Sequence, residues 1–335
     1  MHTFLGTKKR ARFELERLFA PFYSPIHSSI SATSQTAQNK SKTKPLVLLF
    51  GVTAWNFRFQ RSQHLATLLS QLGYEVIFIE PEFIPKHQRG YAYQSTTIEK
   101  NLHIVRLRSS RNHFLYQEVM SESALQITTK SIIKLLEDVR TNHISIIATH
   151  PAWTPVVQRM QSIKKIDRTI YDCMDHHAGF LENSPKVLAQ ESTLLEICDR
   201  VIVSSNWLKN RIIQDFHVPT SNISVIRNAG DFDHFNDGSK KLEPSRIDWP
   251  KDRITAGYIG AINSWFDEKL LKKILNLQNL EIELVGNVER SEVRKLSSQY
   301  QNLRLLGEQP YSKLPTLIQK WDLLLLPFER SELTN

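Results

Sequence analysis

The pattern that most limits the fold of this chain is an alternation of short apolar runs with helix-spaced stretches, beginning at LVLLF (46–50). Five consecutive apolar residues suit a strand buried on both faces, as in a parallel sheet. Leu65, Leu68, Leu69 and Leu72 follow at helical spacing before Gly73, a helix stop, and YEVIFIE comes next. Strand, helix and strand within about 35 residues is the size of one βαβ unit, whose crossover is expected to be right-handed.

The alternation continues through HIVRL, a helical pattern over 122–140, ISIIATH, a helix after Pro155, TIYDCM, a helix through LLEIC, RVIVSS, a helix from Trp207 to Phe216, and ISVIRN. A mostly parallel sheet covered by helices on both faces is predicted. Residues 230–250 are polar and contain prolines, so they read as a connection, and a second α/β series runs from RITAGYIG to DLLLLPF. The expected organisation is therefore a basic segment and flexible linker at 1–44, a Rossmann-like domain at 45–229, a connection at 230–250 and a second Rossmann-like domain at 251–335. The second series holds only about four strands where doubly wound domains usually have five or six, and ERSELTN closes the sequence without a helix. That predicts a C-terminally truncated, incomplete second domain.

Composition narrows the partners. Lys and Arg outnumber Asp and Glu by 43 to 34, a formal charge of +9, which favours an anionic partner. Cys173 and Cys198 are too few for a disulfide scaffold, so a cytoplasmic setting is expected. The longest apolar runs fall far short of the ~20 residues that span a bilayer. The first 22 residues fit two readings, an amphipathic helix on an acidic membrane surface or a solvated basic terminus. The first would add peripheral attachment to the inner face of the membrane. No nucleic-acid partner is expected, because the basic residues are scattered and match no binding signature.

In open α/β sheets ligands bind beyond the carboxyl ends of the strands, so chemistry is sought in the turns that follow them. The first turn, GVTAWNFRFQRSQHL, has one glycine where a phosphate loop needs several. Trp55, Phe57 and Phe59 alternate and could be core, but Arg58 and Arg61 need an anion, either a ligand or a buried carboxylate. His150 ends one strand, and Asp175, His176 and His177 share the turn after another. Histidine and carboxylate suit acid–base work near neutral pH. Read instead as bland features, Asp175 caps a helix and His150 is a hydrogen-bonded structural residue. No metal is expected there, since adjacent histidines rarely converge on one ion and the sequence offers no third ligand beside them. Gly260 and Gly286 each end a strand and could present amides to a diphosphate.

VIRNAGDFDHF resembles the interdomain segment of retaining GT-B glycosyltransferases of glycosyltransferase family 4, in which an Asn-Gly-x-Asp run and a phenylalanine end the N-terminal domain. WNFRFQRSQHLA, YDCMDHHAGF, GYIGAINSWFD and LLGEQPYSKLP are similar to a bacterial subgroup that makes cell-surface polysaccharide. The resemblance implies a GT-B fold, two Rossmann-like doubly wound domains facing a cleft. It also implies hexosyltransferase-type transfer of a sugar from a nucleotide-sugar donor to a glycan or lipid-linked acceptor, with no cofactor and no metal. Carried over, it places the donor on the second domain, at Gly260, Trp265, Asp267, Gly286, Asn287 and Glu329, and the hinge at Asn228 and Asp231. Asp175, His176 and His150 become the catalytic candidates, with Trp55, Arg58 and Arg61 toward acceptor or phosphate. Most relatives have an arginine and a lysine shortly after the glycine that is Gly260 here. This chain has Ala261, Trp265, Phe266 and Asp267 instead, so Arg58 or Arg61 is expected to meet the phosphate. Two glutamates eight positions apart, the family's donor-binding motif, would fall beyond residue 335. A nucleotide-sugar epimerase of the same fold and a non-catalytic nucleotide-sugar or polysaccharide-binding module stand as alternatives.

Overall fold

The structure is a computed structural model that describes residues 46–84, 92–111, 113, 115–141, 143–180, 183–236, 253–331 and 334. The basic segment at 1–44 and most of the expected connection, 237–250, lie outside the described residues. The chain divides into two compact units between Asn228 and Ala229. Residues 230–236, read from sequence as linker, belong to the second unit.

The first unit contains β1 (Leu46–Phe50), α1 (Arg61–Gln71), β2 (Glu75–Ile79), β3 (Tyr93–Glu99), β4 (Leu102–Leu107), α2 (Glu122–Val139), β5 (Ile144–Ala148), α3 (Thr154–Ile163), β6 (Arg168–Cys173), α4 (Pro185–Leu188), α5 (Gln190–Ile197), β7 (Arg200–Val203), α6 (Asn206–Phe216) and β8 (Ile223–Val225). They build one sheet in the order β3-β4-β2-β1-β5-β6-β7-β8. The order reverses at β1, which pairs in parallel with both β2 and β5. In such sheets the reversal point opens a ligand crevice.

β1 shows why an unbroken apolar run is needed at that position. Leu46, Leu48 and Phe50 enter a cluster with Ile132, Leu135, Val156, Val157, Leu194 and Ile212 of the helices on one face. Val47 and Leu49 enter a second cluster with Leu65, Ala66 and Leu69 of α1. Alternate side chains thus go to opposite faces, and both faces are buried. Ser121 and Ser205 cap α2 and α6 by accepting from the amides of Ala124 and Leu208.

β3 is a strand that the sequence pattern does not predict. It pairs antiparallel with β4 alone and is mostly exposed. An edge strand facing solvent needs no apolar alternation, and YQSTTIE has none.

The second unit contains α7 (Phe232–Phe235), β9 (Ile254–Ile259), α8 (Glu268–Ile274), β10 (Leu280–Val285), α9 (Ser291–Gln299), β11 (Leu303–Gly307), α10 (Leu314–Ile318) and β12 (Leu323–Leu324). Its sheet is parallel with the order β11-β10-β9-β12. Tyr258, Phe266, Leu271, Ile282, Leu284, Val293 and Leu296 form its core. Among the described residues no helix is long and apolar enough to cross a membrane.

Candidate active site

At the reversal point the turn after β1 spends its backbone on the protein. The carbonyls of Phe50, Gly51 and Val52 accept from Thr149 Oγ1 (2.8 Å), Trp153 Nε1 (2.9 Å) and the Tyr116 hydroxyl (2.9 Å). The amides of Gly51 and Trp55 donate to Ile79 O and to the buried Glu80 Oε1. With these amides bonded within the protein and a single glycine present, the turn lacks the run of free amides of a phosphate loop's glycine-rich nest at those two positions. Gln63, wholly buried, ties the turn to α1 by donating to Arg58 O at 2.8 Å.

The aromatics of this turn divide by position. Trp55 is buried edge-on against Phe59 and Phe78, so its expected role as an acceptor contact gives way to a core role. Phe57 is 54% exposed, with the Arg58 guanidinium 4.5 Å from its ring centre. Arg58 and Phe57 therefore remain as the outward pair.

Arg61 requires a correction. Its guanidinium grips the fully buried Asp172 with Nε at 2.9 Å and Nη2 at 2.8 Å, and its Nη1 donates to Ile226 O and to Asn228 Oδ1. The anion it needs is a buried carboxylate rather than a ligand phosphate, and such a fork satisfies both charges at once. The hinge candidate Asn228 is thereby fixed to the first unit, while Asp231 caps α7 by accepting from the His234 amide.

His150 sits in the wall of the site. Asn183 donates through Nδ2 to His177 O at 2.8 Å, which turns its Oδ1 toward His150 Nε2 at 3.2 Å. Nε2 must then carry the proton, leaving Nδ1 to accept from the Ala152 amide. With both nitrogens engaged and 1% exposure, His150 holds the turn rather than exchanging protons with a substrate, so its expected catalytic role becomes a positioning one. Burial pushes its pKa down to about 4, against the smaller opposing effect of Asn183. His177 is pushed well down in the same direction, first by burial and then by His150, Arg211 and His176.

The sign of the linkage follows. A folded pKa below the unfolded one supplies stability that is full above pH 6.5 and is lost as pH falls through about 4. For His150 that is on the order of 3 kcal/mol. Urea midpoints of the chain should therefore drop between pH 7 and pH 4, and the His150→Gln variant should lose less over the same interval. An equal acid loss in both proteins would rule His150 out as a source.

Asp175 is placed differently. It is exposed, yet the protein packed around it and then the nearby Asp172 carboxylate hold its carboxyl above the usual range, opposed by Arg61. A reachable acid with a shifted pKa at a strand end is a functional candidate. Beside it, His176 lies 5.2 Å, centre to centre, from Trp207, which is 41% exposed in the first turn of α6. Trp207 escapes sequence reasoning because an aromatic in a helix reads as core; its signal is its place two residues past the strand-end run RVIVSS.

In the second unit the two strand-end glycines do not offer their amides. Gly260 N donates to Val285 O and Gly286 N to Gly307 O, both at 2.9 Å, which corrects the expected diphosphate role of those amides. Gly286 has φ +139°, and a Cβ there would stand 1.9 Å from Gly260 O. Glycine is needed because the ends of β9 and β10 touch. Trp265, Asp267 and Glu329 are brought to one edge, where Asp267 N donates to Pro327 O (2.8 Å) and Glu329 N to Trp265 O (2.9 Å). Asp267 also caps α8, accepting from the Leu270 amide. Asn287 donates to Glu289 Oε1 at 3.1 Å. Arg290, at the start of α9, pairs with Glu268 and feels the charge of Glu329. It is a cation that sequence reasoning misses, although its position four residues past the strand-end Gly286 marks it.

The family model described as Glycosyltransferase Family 4 matches residues 61–234, more than half of the chain. No curated protein matches the sequence. Among solved structures, the catalytic domain of starch synthase IV from Arabidopsis thaliana, bound to ADP and acarbose, superposes with a TM-score of 0.60 at 11% identity, covering 85% of this chain and 78% of that one. Anabaena HepE in complex with UDP and glucose gives 0.54 at 15% identity, with 84% and 73% covered. The UDP-forming α,α-trehalose-phosphate synthase from Burkholderia vietnamiensis gives 0.54 at 9%, with 82% and 75% covered. At these identities the likeness is one of fold, the GT-B arrangement of Rossmann-like sheets.

Proposed function

Because the chain belongs to glycosyltransferase family 4, we propose that it moves a hexosyl group from a nucleotide-sugar donor to an acceptor hydroxyl with retention, in polysaccharide or glycoconjugate synthesis. The observation that carries this reading is the Asp175 turn. An exposed, pKa-raised carboxyl, a histidine and an exposed tryptophan are gathered at a strand end of the unit that the family model matches.

In this reading the acceptor oxygen bonds the anomeric carbon on the same face from which the nucleoside diphosphate departs, as retention requires, and Asp175 takes the proton of the acceptor hydroxyl. Trp207 and the Phe57–Arg58 pair present flat faces and a cation to the acceptor. The donor lies on the second unit, where Trp265, Asp267 and Glu329 share one edge and Asn287 lies just past the end of β10. Arg290, rather than Arg61, supplies positive charge to the diphosphate. The nucleotide sugar is a substrate, and no cofactor enters the reaction.

HepE was solved with UDP and with UDP-glucose, and starch synthase IV with ADP, so uridine and adenosine nucleotides are the first donors to try. In a thermal-shift titration with UDP, ADP, GDP and their hexose conjugates, one base should shift the midpoint selectively. A ligand at a hundred times its Kd stabilises by ~2.7 kcal/mol, a rise of several degrees. Absence of any shift, together with no sugar transfer to added acceptors, would sink the proposal. Conversion of the nucleotide sugar into its epimer without transfer would replace it with the epimerase reading.

A further inference from the structure

We propose that Cys173, His177 and Glu191 form a buried site for a zinc-type divalent cation inside the first unit. Cys173 is the last residue of β6, His177 lies four residues on in the following turn, and Glu191 stands in the first turn of α5. Their ligand atoms, a thiol sulfur, an imidazole nitrogen and a carboxylate oxygen, all lie within 4.8 Å of one another. Each residue is less than 5% exposed. Zinc held at ~2.0–2.3 Å by such donors sets them roughly 3.5 Å apart, so closing the site shortens each separation by roughly 1.3 Å or less.

His177 Nε2 is a second and independent pointer, because it is buried with no hydrogen-bond partner. A buried imidazole nitrogen left unsatisfied is costly, and a metal ion satisfies it. His176, by contrast, goes to Trp207 while His177 packs against His150 and Tyr171. Adjacent histidines therefore do not share the ion, and the missing third ligand comes from Glu191, which only the fold brings near.

The surroundings suit this use. Thiolate and carboxylate together cancel a dication, and the sulfur favours zinc over magnesium or calcium. The Tyr171 hydroxyl donates to Glu191 Oε1 at 2.8 Å and Arg211 Nη2 stands 3.5 Å from Oε2, which orients the carboxylate from outside. The thiol, which lies 3.9 Å from Glu191 Oε1 and 3.5 Å from Asp175 O, gives up its proton when the ion binds. An ion at this point clamps the turn carrying Asp175 and His176 at both ends.

The test uses the full chain with Co²⁺ as a spectroscopic probe and Zn²⁺ for stability. One Co²⁺ per chain should bind with a near-ultraviolet thiolate-to-cobalt charge-transfer band, and excess Zn²⁺ should raise the midpoint by about 5 °C. Cys173→Ser should abolish the band and Cys198→Ser should keep it. If Cys173→Ser does not fold, the unmodified and Cys198→Ser chains decide the question. No thiolate–cobalt absorption from the unmodified chain, or a band that vanishes in Cys198→Ser, overturns the site and leaves a hydrogen-bonded core cluster.

Discussion

Replacing Arg61 with alanine is expected to lower the stability of the first unit by about 3–5 kcal/mol, because it strips the counter-charge from a carboxylate with no access to water. The Asp172 side chain is 0% exposed and that of Arg61 is 9%. Without the fork Asp172 would be left buried with no counter-charge, and Ile226 O would lose its donor. Urea unfolding of the single variants Arg61→Ala and Asp172→Ala should show large, similar losses. The double variant Arg61→Met with Asp172→Leu should recover most of them, since apolar pairs often replace buried ion pairs at little cost. A small loss in Arg61→Ala would show instead that the arginine is free to serve a ligand. Arg61 also opposes the raised pKa of Asp175, so any activity left in Arg61→Ala should have its alkaline-rising limb moved to higher pH.

Asp175→Asn should have the opposite signature. As the base that takes the acceptor proton, Asp175 contributes about 10²–10⁴ in turnover, and the amide cannot accept that proton. Its folded pKa is raised, so its contribution to stability is full below the unfolded pKa and is lost as pH rises through the folded one. At neutral pH the ionised carboxylate therefore works against folding. Asp175→Asn should be at least as stable as the parent while losing turnover, a pairing that marks groups kept for function. Steady-state transfer assays alongside thermal midpoints check both halves. A variant with normal turnover, or one that loses midpoint and turnover together, would remove Asp175 from the chemistry.

These two carboxylates show what sequence reasoning reaches and where it stops. Asp172 and Asp175 are three residues apart in YDCMD, and the turn chemistry draws attention to the second. Only the pairing of β6 with its neighbours turns Asp172 inward toward Arg61, 111 residues away in sequence. The same holds for the glycines. Their positions at strand ends are legible, but whether their amides are offered or already bonded depends on register with the adjacent strand.

The strand and helix alternation, the two units and the family emerge from local sequence, because burial on both faces of a parallel strand demands an unbroken apolar run and helices demand their own period. β3 escapes for the complementary reason, since an edge strand makes no such demand. The candidate site was decided by tertiary structure. Whether an arginine meets substrate or a buried aspartate, whether a histidine's nitrogens are free or spent, and which distant glutamate stands beside a cysteine are matters of contacts between residues far apart in the chain. Hydrogen bonds and ion pairs act over only a few ångströms, so the sequence by itself names the residues that could do chemistry, and the packing selects which of them are left able to do it.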